Sequence, residues 1–311
     1  WGDSNIVGRG APTGTGFVKV FSTSPAFAAL RQDGSIVSWG LTEYGGSGAP
    51  SGQGFQAVFS TSTSFAVLRS DGTISTWGNP DAGGVNGPTG GGFTTIFSNN
   101  NSFTAKRYDG SLYSWGGSLY GSNAPGGQNY SQVASTFGAW AAISSSGEIK
   151  VWGDTGQGGA NCPTGTGYLR IYSSGNAFTA IKSDGSLSSW GNSNHGGSGN
   201  PTQSGFSSVV SNWSAFAALK PDGSVVSWGD SATGGTNTPA GSGFISIQTP
   251  LISKPYFYPS QTKVFNCSTG LPFNSSLNAI GLGISHRVYS GSVPNGFNLD
   301  EKTGILSGSP T

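Results

Sequence analysis

The sequence has no methionine, two cysteines and two histidines, and only 9% of its 311 residues are charged. Each shortage narrows what the chain can be. With 14 Lys+Arg against 13 Asp+Glu and a formal net charge of +1, it offers no basic stripe to neutralise phosphates and no acidic tail, which removes nucleic acid from the expected partners. Cys162 and Cys267 are too few for a disulfide framework. One bridge between domains is compatible with them, and two idle thiols is the simpler reading. His195 and His286 are the only neutral-pH bases, and glutamate is limited to Glu43, Glu148 and Glu301. No His/Cys cluster has metal-ligand spacing, so neither metal nor cofactor is expected. No apolar run reaches the length of a membrane span, and the longest, such as Ala26 to Leu30, have strand length, so no membrane insertion is expected. The chain begins at Trp1, which implies that any signal peptide has been removed or lies upstream. Low charge with abundant Ser, Thr, Asn and Gly suits an extracellular or cell-surface protein.

What the sequence has in abundance is glycine, 54 residues, arranged with a period. Trp-Gly pairs begin at Trp1, Trp39, Trp77, Trp115, Trp152, Trp190 and Trp228, a repeat of 38 residues with one unit of 37. A proline follows each tryptophan (Pro12, Pro50, Pro88, Pro125, Pro163, Pro201, Pro239), then an aromatic (Phe17, Phe55, Phe93, Tyr130, Tyr168, Phe206, Phe244). Such internal self-similarity is the signature of a repeat architecture and excludes a disordered low-complexity chain.

Within one unit, Phe206 to Val210 and Phe216 to Leu219 read as strands, and Asp222-Gly223 as a tight turn into a third strand, Val225 to Trp228. Asp-Gly between apolar runs predicts a type I′ hairpin, with positive φ at both central residues. Asp33, Asp71, Asp109 and Asp184 repeat it, while the fourth unit has Ser146-Gly147. Their turn role accounts for these aspartates without calcium. Each unit is thus a small antiparallel sheet of three to four strands, with no helical period anywhere. A sheet of this size cannot bury both faces alone. Radial stacking into a β-propeller solves this, with the tryptophans and the Phe-Ala-Ala-Leu strands as the core between blades.

The stretch Ser64 to Gly78, SFAVLRSDGTISTWG, resembles the regulator of chromosome condensation repeat. Trp228 to Phe244, WGDSATGGTNTPAGSGF, is similar to the compact bacterial branch of that family, which includes the β-lactamase inhibitory proteins. The resemblance implies an all-β, seven-bladed propeller over residues 1–249. Six units are complete, and the seventh is split or abbreviated between Trp1-Gly2 and Phe244 to Ile247. Either these two pieces meet as a shared blade, with the strand at Trp1 beside that at Phe244, or upstream sequence completes the blade. From Pro250 the period stops. Val293-Pro294-Asn295-Gly296-Phe297 and Thr303-Gly304-Ile305-Leu306-Ser307-Gly308 resemble the Ig/cadherin-like domains of bacterial surface proteins. Residues 250–311 are therefore expected to form a partial, incomplete β-sandwich, and the chain reads as a segment of a larger protein.

No base-nucleophile pair and no Gly-x-Ser-x-Gly motif in a strand-turn-helix setting is present, so no enzyme is expected. His195 reads as a surface-loop residue. The candidate binding residues lie between the first and second strands, in turns that a propeller gathers on one face. These are Phe137 and Trp213, aromatic exceptions in a small polar series, with Asn99 and Asn100. Local packing of the two aromatics is the plainer alternative. Asn100, Asn129, Asn212, Asn266 and Asn274 begin Asn-x-Ser triplets, permissive for glycosylation. The expected function is a structural or adhesive module of a surface protein or filamentous appendage. Its partners would be protein or glycan surfaces, including copies of itself or downstream domains. The alternative is a secreted enzyme inhibitor acting through the same loop face.

Overall fold

The computed structural model describes residues 10–236 and 238–247, and the backbone of the strands Phe273–Ser276, Phe297–Leu299 and Ile305–Gly308. The chain divides into two compact units, Trp1–Pro259 and Ser260–Thr311.

Among the described residues, the first unit contains six three-stranded antiparallel sheets, blades 1–6. Blade 1 is built from Phe17–Ser22, Ala26–Arg31 and Ile36–Gly40, and blades 2–6 span residues 55–78, 93–116, 130–153, 168–191 and 208–229. Strands follow chain order within each blade, and the first strands of consecutive blades are neighbours, which makes them the inner strands. Blade 4, from the short unit, keeps the register of the others because the missing residue falls between Gly121 and Pro125.

Packing between blades follows from strand periodicity with one deviation. On the middle strand of blade 2, Phe65 and Val67 face blade 1, where they meet Ala26, Ala28, Leu30 and Ile36. Ala66 and Leu68, on the opposite side of the same strand, meet Phe93, Ile96 and Phe103 of blade 3. The inner strand buries Phe55 and Val58, three residues apart, which plain alternation forbids. A register shift between Phe55 and Ala57 supplies the extra residue, and it recurs between Phe93 and Thr95, Tyr130 and Gln132, and Tyr168 and Arg170.

The tryptophans pair across strands with the middle-strand aromatic. Phe65 and Trp77 are register partners whose rings stack at 5.0 Å, and Trp140 and Trp152 do the same in blade 4 at 6.1 Å. The Trp77 indole N–H donates to the Gly45 carbonyl of the preceding blade at 3.1 Å, and Trp115, Trp190 and Trp228 repeat this to Gly83, Gly158 and Gly196. Burying one such side chain contributes about 2–3 kcal/mol. Gly45 must be glycine for two reasons. Its φ is +95°, and a Cβ there would lie 2.6 Å from the Phe65 ring.

The Asp-Gly turns differ from the type I′ expectation. Among the described residues, positive φ outside glycine occurs only at Asn86, Asn129 and Asn161, so the hairpin aspartates do not adopt it. Instead Gly34 N–H donates to Arg31 O at 2.9 Å, Arg31 N–H to Ser35 O at 2.9 Å, and Gly34 alone has φ of +76°. This is a three-residue hairpin loop with a glycine bulge. It prevails because the Asp33 carboxylate accepts from the Ser35 N–H at 2.9 Å and its hydroxyl at 2.7 Å, which holds the aspartate in its ordinary conformation.

Among the described residues, no further blade packs on the face of blade 1 that turns away from blade 2. Val20 is 60% exposed, whereas its equivalents Val58, Ile96, Ile171 and Val209 are 5%, 0%, 3% and 3% exposed. At the other end, the Phe244 N–H donates to Gly223 O at 3.2 Å, as the Phe206 N–H does to Gly185 O. The Trp1 strand and its junction with that segment lie outside the described residues. In the second unit, Ile305–Gly308 is the central strand, paired antiparallel with Phe273–Ser276 on one side and Phe297–Leu299 on the other.

Candidate binding face

The turns between inner and middle strands are built to a common plan. Their second residue is Thr23, Thr61, Asn99, Thr136, Ser174 or Asn212, and in each blade its side chain reaches a carbonyl 21 residues downstream, at Tyr44, Ala82, Tyr120, Gln157, His195 or Thr233. Those carbonyls belong to short 3₁₀ turns that follow each Trp-Gly pair. The six strand turns are thereby clamped, blade by blade, to the six 3₁₀ turns outside them.

The third residue of each turn links the blades. Ser24 N–H donates to Ser62 O at 2.9 Å, Ser62 to Asn100 at 2.9 Å, Asn100 to Phe137 at 3.1 Å, Phe137 to Gly175 at 2.8 Å and Gly175 to Trp213 at 2.8 Å. These bonds form one ladder of main-chain groups across six blades, each 37 or 38 residues from the next. It satisfies turn donors that ordinary hairpin loops leave to water.

The ladder brings Phe137 and Trp213 together. The residue between them is Gly175, and the two rings meet edge to face above it with centroids 4.4 Å apart at 76°. Gly175 is buried, and a Cβ on it would sit 2.9 Å from the Trp213 carbonyl and 3.4 and 3.5 Å from the two rings. Trp213 remains 38% exposed. Gly175 is the member of this group that sequence reading missed. Its signal was the column of third turn residues, in which it is the one glycine.

The two asparagines are placed differently. Asn99 is 9% exposed, with its Nδ2 donating to Tyr120 O at 2.9 Å and its Oδ1 accepting from Asn101 N, Ser102 N and Ser102 Oγ. Its side chain is committed to the clamp. Asn100 stands in the ladder beside Phe137, half-buried. Of the glycosylation triplets, Asn129 is exposed with φ of +64°, whereas Asn212 uses its amide in the clamp. Asn266 and the side chain of Asn274 lie outside the described residues.

His195 ends the 3₁₀ turn of blade 5, its Nδ1 3.4 Å from the Asn176 amide. Cys162 is a free thiol facing the Ile149 carbonyl, and burial pushes its pKa up, which disfavours the thiolate. Cys267 and His286 lie outside the described residues. No group of three or more His, Cys, Asp or Glu able to hold a metal occurs among the described residues, and no helix there is long and apolar enough to cross a membrane. On the hairpin side of the blades, Arg31, Arg69, Arg107, Lys182 and Lys220 each lie over the aromatic that opens their own inner strand, Arg69 at 4.2 Å from the Phe55 ring.

No known protein family matches the sequence, and no curated protein matches it. Among solved structures, the ectodomain of the Physcomitrella patens receptor kinase CR4 is similar at 17% identity and a TM-score of 0.45, covering 74% of this chain and 66% of its own, just under two thirds. The CRINKLY WD40 ectodomain of the Arabidopsis thaliana receptor kinase ACR4 is similar at 17% identity and a TM-score of 0.43, covering 72% and 83%. Prp20p from Saccharomyces cerevisiae, described with its binding to Gsp1p and histones, is similar at 13% identity and a TM-score of 0.43, covering 68% and 72%.

Proposed function

We propose that the chain is an extracellular structural or adhesive module, part of a surface protein or appendage, that binds protein or glycan surfaces without catalysing a reaction. In this reading the six blades belong to a seven-bladed ring, and the second unit begins an Ig/cadherin-like sandwich. The observation that carries it is the aromatic pair Phe137–Trp213, presented on a face whose polar turns are otherwise consumed by the clamp and the ladder. A large exposed aromatic on a rigid, hydrogen-bonded platform is the usual form of a recognition anchor. The same pair supports a second reading, a secreted enzyme inhibitor acting through this loop face.

The experiment is to measure retention of the purified chain on immobilised proteins and glycans, alongside turnover assays with ester, peptide and glycoside substrates. Retention that depends on Trp213, without turnover, is the expected result. Reproducible turnover abolished by His195→Ala would overturn the non-catalytic reading. Stoichiometric inhibition of a β-lactamase, lost in Trp213→Ala, would replace adhesion with inhibition.

A further inference from the structure

The composition of the turns around Phe137 and Trp213 narrows the ligand class, and this step rests on the non-catalytic binding reading. None of the six strand turns, residues 22–26, 60–64, 98–102, 135–139, 173–177 and 211–215, contains Lys, Arg, Asp or Glu. The 3₁₀ turns clamped to blades 4–6 are Thr155–Gln157, Ser193–His195 and Ser231–Thr233, again without Lys, Arg, Asp or Glu. The acidic residues of the 3₁₀ turns, Glu43 and Asp81, belong to those clamped to blades 1 and 2. Asp154 and Asp230, which precede the turns of blades 4 and 6, spend a carboxylate oxygen on Gly156 N at 2.8 Å and Ala232 N at 2.9 Å.

We propose that the turns of blades 4–6, with Phe137 and Trp213 set edge to face over Gly175, form a platform for an uncharged pyranose of a neutral glycan. The axial C–H bonds of a pyranose present an apolar face about the size of one indole, and the partly exposed Trp213 ring supplies the stacking surface. The Phe137 ring, at 76° to it, forms a wall against which the sugar edge is positioned. The hydroxyls at that edge need donors and acceptors. Asn100 is the ladder neighbour of Phe137, and Asn176, next to Gly175, carries its amide 3.4 Å from His195 Nδ1, so these turns supply amide-bearing residues beside the pair.

A protein partner fits these observations less well. A stable interface buries about 800 Å² on each side around an apolar centre, whereas the large apolar side chains of the six turns are these two rings alone. An anionic glycan lacks its recognition element, because no Lys or Arg occurs in the strand turns or the 3₁₀ turns of this face.

The test uses the full chain in affinity electrophoresis through cellulose derivatives, xylan, mannan and amylose, and on an array of neutral and anionic oligosaccharides. Retardation by at least one neutral glycan is expected, with Trp213→Ala and Phe137→Ala weakening it by about tenfold or more and Trp213→Tyr retaining most of it. Gly175→Val, which would push both rings off the platform, should abolish it. Tyr108→Ala, on an exposed hairpin residue away from these turns, should leave it unchanged. A thermal melt of each variant separates loss of the platform from loss of the fold. Binding confined to anionic glycans, no glycan binding at all, or equal retention by wild type and a folded Trp213→Ala would each overturn the proposal. Trp213-dependent binding of a protein instead would overturn the glycan assignment and leave the non-catalytic binding reading standing, whereas turnover abolished by His195→Ala would sink that reading.

Discussion

The Thr61 hydroxyl donates to the main-chain carbonyl of Ala82 at 3.1 Å and accepts from the Ser64 N–H at 3.0 Å, joining the strand turn of blade 2 to the 3₁₀ turn Pro80–Ala82. Thr61 is only 3% exposed, so neither partner has water as a substitute. Thr61→Val, which keeps the shape and removes the hydroxyl, should therefore destabilise the chain by about 1–3 kcal/mol in urea unfolding. Thr61→Ser should recover most of that loss, since Ser174 performs the same function in blade 5.

Gly45 and Gly234 occupy equivalent positions with φ of +95° and +97°, but a Cβ on Gly45 would meet the Phe65 ring at 2.6 Å, and no described residue lies within 4 Å of one on Gly234. Gly45→Ala combines backbone strain with a clash and should cost about 2–4 kcal/mol, whereas Gly234→Ala carries the strain alone, about 1 kcal/mol. Equal melting temperatures for the two variants would contradict the packing described for the blade 1–blade 2 junction.

Ile96 and Val20 hold the same place in blades 3 and 1, at 0% and 60% exposure. Ile96→Ala should cost about 2–5 kcal/mol. Val20→Ala tests the seven-bladed reading, which expects a cost approaching that of a buried position because a further blade covers this face, and a change within about 0.5 kcal/mol of the parent would contradict the ring.

The hairpin carboxylates of Asp33, Asp71 and Asp109 are held below the ordinary value of 3.8, first by side-chain hydroxyl donors and then by main-chain N–H groups at Ser35, Thr73 and Ser111. For Asp184 and Asp222 the main-chain donor leads. A folded-state pKa below the unfolded one means that stability is present above the unfolded value and is lost as pH falls through the folded one. The urea midpoint should hold steady from neutral pH down to about pH 5 and then decline below about pH 4. Asp71→Asn should lower the neutral-pH midpoint slightly and flatten its share of the acid decline.

By itself the sequence determined the unit and its internal wiring. The Trp-Gly period, the aromatic at Phe55 and its equivalents, and the alternation in Phe65 to Leu68 were enough for small antiparallel sheets of three to four strands stacked face to face, because strand periodicity is a local consequence of residue order; that each sheet has three strands is seen in the structure. The turn geometry at Asp33-Gly34 was not legible in the same way. An Asp-Gly pair is compatible with two hairpin loops, and the side-chain bond to Ser35 selects between them. Nor could the sequence separate Asn99 from Asn100: they are adjacent and alike, yet one is spent on a carbonyl 21 residues away and the other stands in the ladder. The meeting of Phe137 and Trp213 over Gly175 was decided by tertiary structure alone. Seventy-six positions separate the two rings, and only the main-chain bonds from turn to turn, with a glycine between them small enough to be covered, bring their centroids to 4.4 Å.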